Sequence, residues 1–311
     1  APSAGAPAPG ARWRLGDASL EELRTRAFAV VDGCLDAEEA AALRQEAQDF
    51  VSAGRIREHR FQFGNKQYTK PHIFEADLHD EATQQELPLF SDLLFEDSLV
   101  ERISAAVPEL QLQRGPRAKT LKLQYNAGSG GCFPCHYDNA GRPNRRALTC
   151  VVYLNPTWKD GDGGEIELLP FLEREVRVRP LMGRAVFFRS DRVLHRVLPA
   201  IAERYCFSIW VDSDSTNSSQ DCNLTPSILN MPVDECARFL RTSPVQRTVS
   251  RAVYADVYEG SLRDCMTGSD GCAEMLTAHA AHLEQQRSNP RLWGFVERLQ
   301  SLRPPTDVNV V

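Results

Sequence analysis

No apolar run in this 311-residue chain approaches the ~18 residues that a helical membrane span needs, so no transmembrane helix is expected. A basic excess is also missing. Lys and Arg number 36 against 42 Asp and Glu, and the resulting charge of −6 excludes a generic nucleic-acid binder that lives on phosphate neutralisation. Cysteine is sparse, nine scattered residues that as an odd set cannot all pair within the chain, which excludes a disulfide scaffold and favours a reducing, cytoplasmic setting. No internal repeat is found, which excludes a solenoid. Asn217-Ser218-Ser219 and Asn223-Leu224-Thr225 have the sequon form, but that form arises readily by chance. The first residue is Ala rather than Met, and Ala1 to Ala11 is a Pro/Ala/Gly tract unable to bury anything. Residues 1–17 are therefore expected to be a disordered tail, and a leader removed by processing fits such a start. The remaining composition, 42% apolar, suffices for a real core, and a monomer is expected.

After the tail, Ser19 with Glu22 predicts a capping box, Phe28 to Asp32 a strand, and Asp36 with Glu39 the cap of an Ala-rich helix reaching about Phe50. Residues 54–72 show no periodicity. Short helices are expected at Pro88 to Phe95 and Asp97 to Val107. From Lys119 to Asp212 the pattern becomes short β-type runs, LKLQY, RALTCVVYL, GEIELL, EVRVRP, RAVFF and RYCFSIWV, separated by turn residues such as Gly161-Asp162-Gly163-Gly164. That stretch reads as an antiparallel β domain. Ser213 to Asn223 is a polar linker, and helices follow at Pro232 to Leu240, Pro244 to Tyr258, Asp270 to Gln286 and Pro290 to Leu302. The expected class is α+β: a helical N-terminal layer (18–118), a β-core (119–212) and a linker with a helical extension packed on that core (213–311).

His136-Tyr137-Asp138 lies within the β region, where residues i and i+2 point to one side and can share a metal ion. His79-x-Glu81 and His282-x-Glu284 have the same form but fall in segments read as irregular or helical, where such a pair diverges. His195 follows the run Arg184 to Phe188 and precedes Pro199, and Arg204 stands on the next strand, so the two can face each other across a hairpin. Arg204, Cys206, Ser208 and Trp210 share one face of that strand; Tyr205, Phe207, Ile209 and Val211 share the other. Thr149, Val151 and Tyr153 form a similar set that can bring a phenol into the barrel. Two His and one carboxylate on a rigid sheet make the facial triad of non-haem Fe(II) oxygenases, whose three open coordination sites suit a bidentate oxo-acid and O₂. A deeper Arg would grip the far carboxylate of that oxo-acid. Fe(II) and 2-oxoglutarate are the cofactor and cosubstrate this pattern points to.

In these residues the chain resembles the Fe(II)/2-oxoglutarate dioxygenases of prolyl-4-hydroxylase type, most closely the Egl-nine oxygen-sensing prolyl hydroxylases. The similarity runs from about Lys122 to Asp212 and is strongest in His136-Tyr137-Asp138-Asn139, Leu148 to Asn155 with Trp158, Gly163-Gly164, Ser190-Asp191-Arg192, His195, and Arg204-Tyr205 through Trp210. The resemblance implies a double-stranded β-helix (jelly-roll) core, iron held by His136, Asp138 and His195, and a 2-oxoglutarate carboxylate paired with Arg204 and assisted by Tyr153. It implies further that Tyr125, Ile166 and Ser208 line that pocket. It implies hydroxylation of an unactivated C–H bond with O₂ as oxidant, succinate and CO₂ as co-products and ascorbate as reductant, and suggests a prolyl residue in a protein or peptide as target. The same chemistry allows hydroxylation or oxidative cyclisation of a small carboxylate-bearing metabolite, and a metal-bearing binding module without turnover is the reading from another class. The loop before His136 is one residue longer than in those hydroxylases, the spacing from Ser-Asp-Arg to His195 is one shorter, and the C-terminal helices have no counterpart in the resemblance.

Cys132-Phe133-Pro134-Cys135-His136 also has the C-x-x-C-H form of covalent haem attachment. Haem would consume His136 and leave Asp138, His195 and Arg204 unexplained, so packing thiols are expected instead, with a structural zinc or a redox role for Cys132 and Cys135 as the alternative. Against the acidic whole, residues 55–72 carry Arg55, Arg57, Arg60, Lys66 and Lys70 with one acid, Glu58, and the turn after the triad motif adds Arg142, Arg145 and Arg146. If both clusters ring one substrate entrance, with Arg57, Arg60, Arg145 and Arg146 as its contacts, the substrate is anionic.

Overall fold

Period-two alternation decides most of the architecture of the chain, which we describe from a computed structural model covering residues 12–214, 223–305 and 308–311. In chain order the N-terminal layer contains α1 (Asp17–Arg26), β1 (Phe28–Val31), α2 (Ala37–Ser52), β2 (Arg57–Phe63), β3 (Lys66–Asp77), α3 (Glu81–Glu86), α4 (Pro88–Phe95) and α5 (Ser98–Ala106). The core adds β4 (Lys119–Asn126), β5 (Gly131–His136), β6 (Arg146–Tyr153), β7 (Ile166–Leu169), β8 (Val176–Val178), β9 (Ala185–Arg189), β10 (Leu194–Ala200) and β11 (Arg204–Asp212). The extension consists of α6 (Pro226–Asn230), α7 (Val233–Thr242), α8 (Arg247–Val253), α9 (Ala255–Met266), α10 (Cys272–Arg287), α11 (Pro290–Gln300) and the short β12 (Asn309–Val310).

Two sheets form, one in the order β1-β9-β6-β11-β4-β3-β2 and one in the order β12-β8-β7-β10-β5. They enclose an inner core of Phe133, Val151, Tyr153, Ile166, Val197 and Cys206. The outer face of the larger sheet, including Tyr205, Phe207, Ile209 and Val211, packs on α1, α2, α4 and α5. Outward residues of the smaller sheet, Cys135, Leu169 and Leu194, pack on α7, α8 and α11. The jelly-roll with helices on both outer faces is the expected class. Among the described residues no helix is long and apolar enough to cross a membrane.

Several local expectations are corrected. Residues 54–72 are not irregular: β2 and β3 pair through a two-residue turn with Phe63 opposite Lys66, and Gly64 takes the positive φ of +60° that this turn requires. Ser19 and Glu22 lie inside α1, which starts after an extended Gly16 that offers no side-chain cap. Asp36, by contrast, caps α2 by accepting from Glu39 N at 2.8 Å. The expected tail is ordered from Arg12 onward, because Trp13 and Leu15 are buried against the N-terminal helices. The helix expected over 244–258 breaks at Tyr254, whose buried phenol accepts from Leu172 N at 2.8 Å and so ties the extension to the barrel.

The cysteine reading also changes. Cys132 on β5 and Cys265 on α9 form a disulfide across 133 residues of sequence, while Cys135 is a free, buried thiol pushed up to about 12 by burial. Edge strand β5 is covered by α9, where Ser261 Oγ accepts from Cys135 N at 3.0 Å. The linker's residues 215–222, and Asn217 with them, lie outside the described residues; Asn223 is exposed.

Candidate metal centre and cosubstrate pocket

His136 and Asp138 stand at and just beyond the end of β5, and His195 near the start of β10, which pairs with β5 so that His195 lies directly opposite His136. Pairing therefore brings together residues 59 positions apart in the chain. Asp138 Oδ1 lies 3.4 Å from His136 Nε2 and 3.8 Å from His195 Nε2. Two donors each roughly 2.1 Å from one ion are at most about 4.2 Å apart, so these spans suit a shared cation.

The surroundings fix each ligand's chemistry. His136 Nδ1 pairs with Pro134 O at 2.8 Å and His195 Nδ1 with Val193 O at 3.2 Å, which places the proton on Nδ1 and leaves each Nε2 lone pair facing Asp138. Burial and the neighbouring His136 push His195 down to about 4, so it is a neutral imidazole ready to ligate. Burial by itself would raise the carboxyl of Asp138, but His195, His136 and Thr149 together hold it below its ordinary value. Thr149 Oγ1 donates to Asp138 Oδ2 at 2.7 Å and contacts Ser190 Oγ at 2.9 Å, leaving Oδ1 turned to the metal position.

The triad opens on a cavity of about 310 Å³ lined by residues of both sheets, among them Gln124, Ile166, Arg204 and Ser208. At its deep end Arg204 is 3% exposed and has no carboxylate partner among the described residues. Its guanidinium lies over the Tyr153 ring, 5.0 Å from the centroid, and donates from Nη1 to Cys206 Sγ at 3.3 Å. Arg204 Nε and the Tyr153 hydroxyl are both buried without a hydrogen-bond partner among the described residues. A buried cation lining the cavity, with an orphaned Tyr153 hydroxyl, fits a dicarboxylate, one end on the metal and the other on Arg204. Gly164, at φ +78°, makes room for this, since a Cβ there would lie 2.8 Å from Arg204 Cδ.

Not every expected residue joins the site. Tyr125 faces away from the cavity: its hydroxyl donates to Glu203 at 2.7 Å and its ring packs on Tyr205. On β4 the period of two places Gln124 inside instead, where its Oε1 accepts from Ser208 Oγ at 3.3 Å and Cys206 Sγ at 3.4 Å. Of the four arginines assigned to an entrance, Arg146 lines the cavity, its guanidinium 4.6 Å from the Trp210 ring centroid. Arg145 is tied to Ser213 O at 2.9 Å. Arg57 and Arg60 border a neighbouring groove together with Glu58, Asp77, Asp80 and Glu86, so of the two basic clusters only Lys70 and Arg146 line the cavity of the triad.

Lys70, part of the basic cluster expected at an entrance, lines the cavity; what sequence reasoning missed is the rest of the hairpin's contribution, His59 and Glu75, with Lys122 of β4. Glu75 receives His59 Nδ1 at 2.8 Å and Lys122 Nζ at 2.9 Å. Burial opposes its charge, but these two partners hold it down at about 2. Phe61, Phe63 and Tyr68 alternating around Gly64-Asn65 was the signal that could have revealed this hairpin.

A jelly-roll bearing a His-Asp-His triad beside a buried, unpaired arginine defines a non-haem iron oxygenase of the oxo-acid-dependent class. The profile of the 2OG-Fe(II) oxygenase superfamily matches residues 121–212. A prolyl 4-hydroxylase structure from Phytophthora capsici superposes with a TM-score of 0.79 at 40% identity, covering 92% of each chain. The prolyl hydroxylase EGLN3 of Mus musculus is 35% identical over 97 residues, 30% of this chain, and the chain spans only 40% of that relative's length. A Trichoplax adhaerens prolyl hydroxylase, solved with a hypoxia inducible factor peptide fragment, shares the fold at a TM-score of 0.52 and 24% identity, over 63% of this chain and 88% of its own. The chain belongs to the 2OG-Fe(II) oxygenases, in their prolyl 4-hydroxylase group. Fe(II), 2-oxoglutarate and O₂ are the cofactor, cosubstrate and oxidant of that family, and the residues present fit them.

Proposed function

We propose that this protein hydroxylates prolyl residues in a polypeptide, coupled to the conversion of 2-oxoglutarate to succinate and CO₂. The observation that carries the reading is Arg204, a buried guanidinium without a counter-anion, placed at the bottom of the cavity whose wall holds His136, Asp138 and His195. When bound, iron with 2-oxoglutarate and O₂ supplies the oxidising power that replaces a C–H bond by C–OH. The chain's own residues bind and orient. Asp138, turned by Thr149, and the Nε2 atoms of His136 and His195 would hold the metal. Arg204, with the Tyr153 hydroxyl, holds the remote carboxylate, and Ile166 and Val197 shield the space between from water.

The prolyl peptide is supported by the likeness to prolyl 4-hydroxylases, and an anionic one by Lys70 and Arg146 on the cavity wall, which raise the local concentration of anions. The test is succinate release from 2-oxoglutarate with Fe(II) and ascorbate, with and without prolyl peptides, and mass spectrometry of the peptides for one added oxygen. Succinate release that no prolyl peptide stimulates would overturn the peptide reading while leaving the oxygenase assignment intact.

A further inference from the structure

Lys70 is the one lysine of β3 placed inside the barrel: 8% exposed, it lines the same cavity as the triad. Its ammonium lies 3.7 Å from the ring centroid of Phe133 and 5.4 Å from that of Phe61. No carboxylate and no hydrogen-bond acceptor contacts its Nζ among the described residues. The nearest acid, Glu75, has both oxygens engaged, Oε2 by His59 and Oε1 by Lys122. A buried lysine without an acceptor is costly, and a packed core would replace it by an apolar residue.

Asp138 serves the metal, Arg204 awaits the cosubstrate, Lys122 is neutralised by Glu75, and Arg146 stacks on the Trp210 ring. With a divalent metal and a dicarboxylate in place the charges of Asp138 and Arg204 are balanced, which leaves Arg146, half-buried, and Lys70, the buried one, without an anion. Its position narrows what that anion can belong to. Phe133, on which it stacks, precedes His136 by three residues on β5, and the two rings are 6.4 Å apart. A group reaching Lys70 therefore lies within about one side-chain length of the metal-binding histidine.

We propose that Lys70 is the specificity-determining residue of the substrate site, pairing with the carboxylate of an acidic residue that flanks the hydroxylated proline. The assignment rests on the prolyl-peptide reading above. Burial lowers the ammonium's affinity for its proton, to about 7, with Glu75 offsetting this only in part; an arriving carboxylate restores the charged form and gains a desolvated, charge-assisted hydrogen bond. Phe133 and Phe61 hold the ammonium on its stem beforehand, so little side-chain freedom is lost on binding.

The experiment uses the full chain and short synthetic peptides with a central proline, carrying a single Glu or the matching Gln at each flanking position. For the wild type, Lys70→Gln and Lys70→Arg, kcat/KM is read from succinate release and peptide affinity from anaerobic calorimetry; melting curves establish that the variants fold. The expected result is a preference for Glu over Gln of about tenfold or more at one position, the size of a charge-assisted pair. That preference collapses in Lys70→Gln and is partly kept in Lys70→Arg. Hydroxylation without a Glu preference in the wild type overturns the assignment alone, as does a preference that survives in Lys70→Gln. A raised 2-oxoglutarate KM in Lys70→Gln with peptide discrimination unchanged would place the residue in the cosubstrate pocket and also overturn it. If no prolyl peptide is hydroxylated while 2-oxoglutarate is consumed, the prolyl reading falls and the assignment with it.

Discussion

Thr149 Oγ1 donates to Asp138 Oδ2 at 2.7 Å, so a side chain on β6 sets the orientation of the carboxylate that follows β5. Thr149→Val keeps the shape and removes the donor. The outer partner of a metal ligand typically accounts for about ten- to a hundredfold in metal affinity, so apparent Fe(II) affinity should fall in that range. Thr149→Ser should restore most of it. Titration of 2-oxoglutarate turnover against Fe(II) checks this, and wild-type affinity in Thr149→Val would mean that Asp138 is held by its neighbours alone.

Arg204 is buried with its Nε unpaired, which makes the planar guanidinium, and not merely a positive charge, the feature that the cosubstrate meets. Arg204→Lys should raise the 2-oxoglutarate KM by about tenfold or more. His136→Ala, Asp138→Ala and His195→Ala should instead abolish turnover while the fold survives, as seen by circular dichroism. An unchanged KM in Arg204→Lys would show that another residue holds the carboxylate.

Gln124 and Tyr125 are adjacent on β4 and point to opposite faces, Gln124 into the cavity and Tyr125 to Glu203. Gln124→Ala removes the acceptor of Ser208 and Cys206 and should raise the 2-oxoglutarate KM several-fold. Tyr125→Phe should leave that KM unchanged and cost about 1 kcal/mol of stability through the lost hydrogen bond. The reverse pattern would mean that β4 is one residue out of register.

Lys70 carries a testable sign in its pH dependence. Its folded value of about 7 lies below the roughly 10.4 of an unfolded lysine, because burial disfavours the charge more than the nearby Glu75 favours it. His59 and Lys122 share the hairpin side of the cavity with Lys70 and Glu75, and His136, Tyr137, Asp138, Arg146, His195 and Arg204 are the cavity's other titratable or charged groups. Between these two values the unfolded chain holds a proton that the folded chain has released, so stability from this residue rises with pH across that window. Below about pH 7 both states are protonated and the full penalty, a few kcal/mol, remains. Lys70→Met should therefore melt higher than wild type at about pH 6, with the gap narrowing by about pH 9. Equal gaps at both pH values would mean that the ammonium is solvated.

Much of this architecture was legible in the chain. The alternation from Arg204 to Val211 separates a cavity face from an outer face by the period of two alone, and the structure keeps both. His136-Tyr137-Asp138 in a strand region, together with the resemblance, named the triad and its arginine, but His195 on β10 and Arg204 on β11 are not hairpin partners as expected: their strands belong to different sheets, and both side chains line the cavity between them. Where that pattern was weak the reading failed: the hairpin at 57–77 passed for an irregular segment since its polar residues are half-buried in a cavity wall and not in an apolar core.

What the sequence by itself determined, then, is the set of side chains that share a face and the chemistry those residue types can perform. Tertiary structure decided which faces meet. It placed Lys70 of β3 on Phe133 of β5, turned Gln124 rather than Tyr125 inward, and joined Cys132 to Cys265 across 133 residues. It also separated Arg57 and Arg60 from Arg146, although their charges invited one entrance. The physical reason is range: dihedral preference and periodicity act between neighbours in sequence, whereas a site between two sheets depends on strand register and closure, set only when the whole core packs.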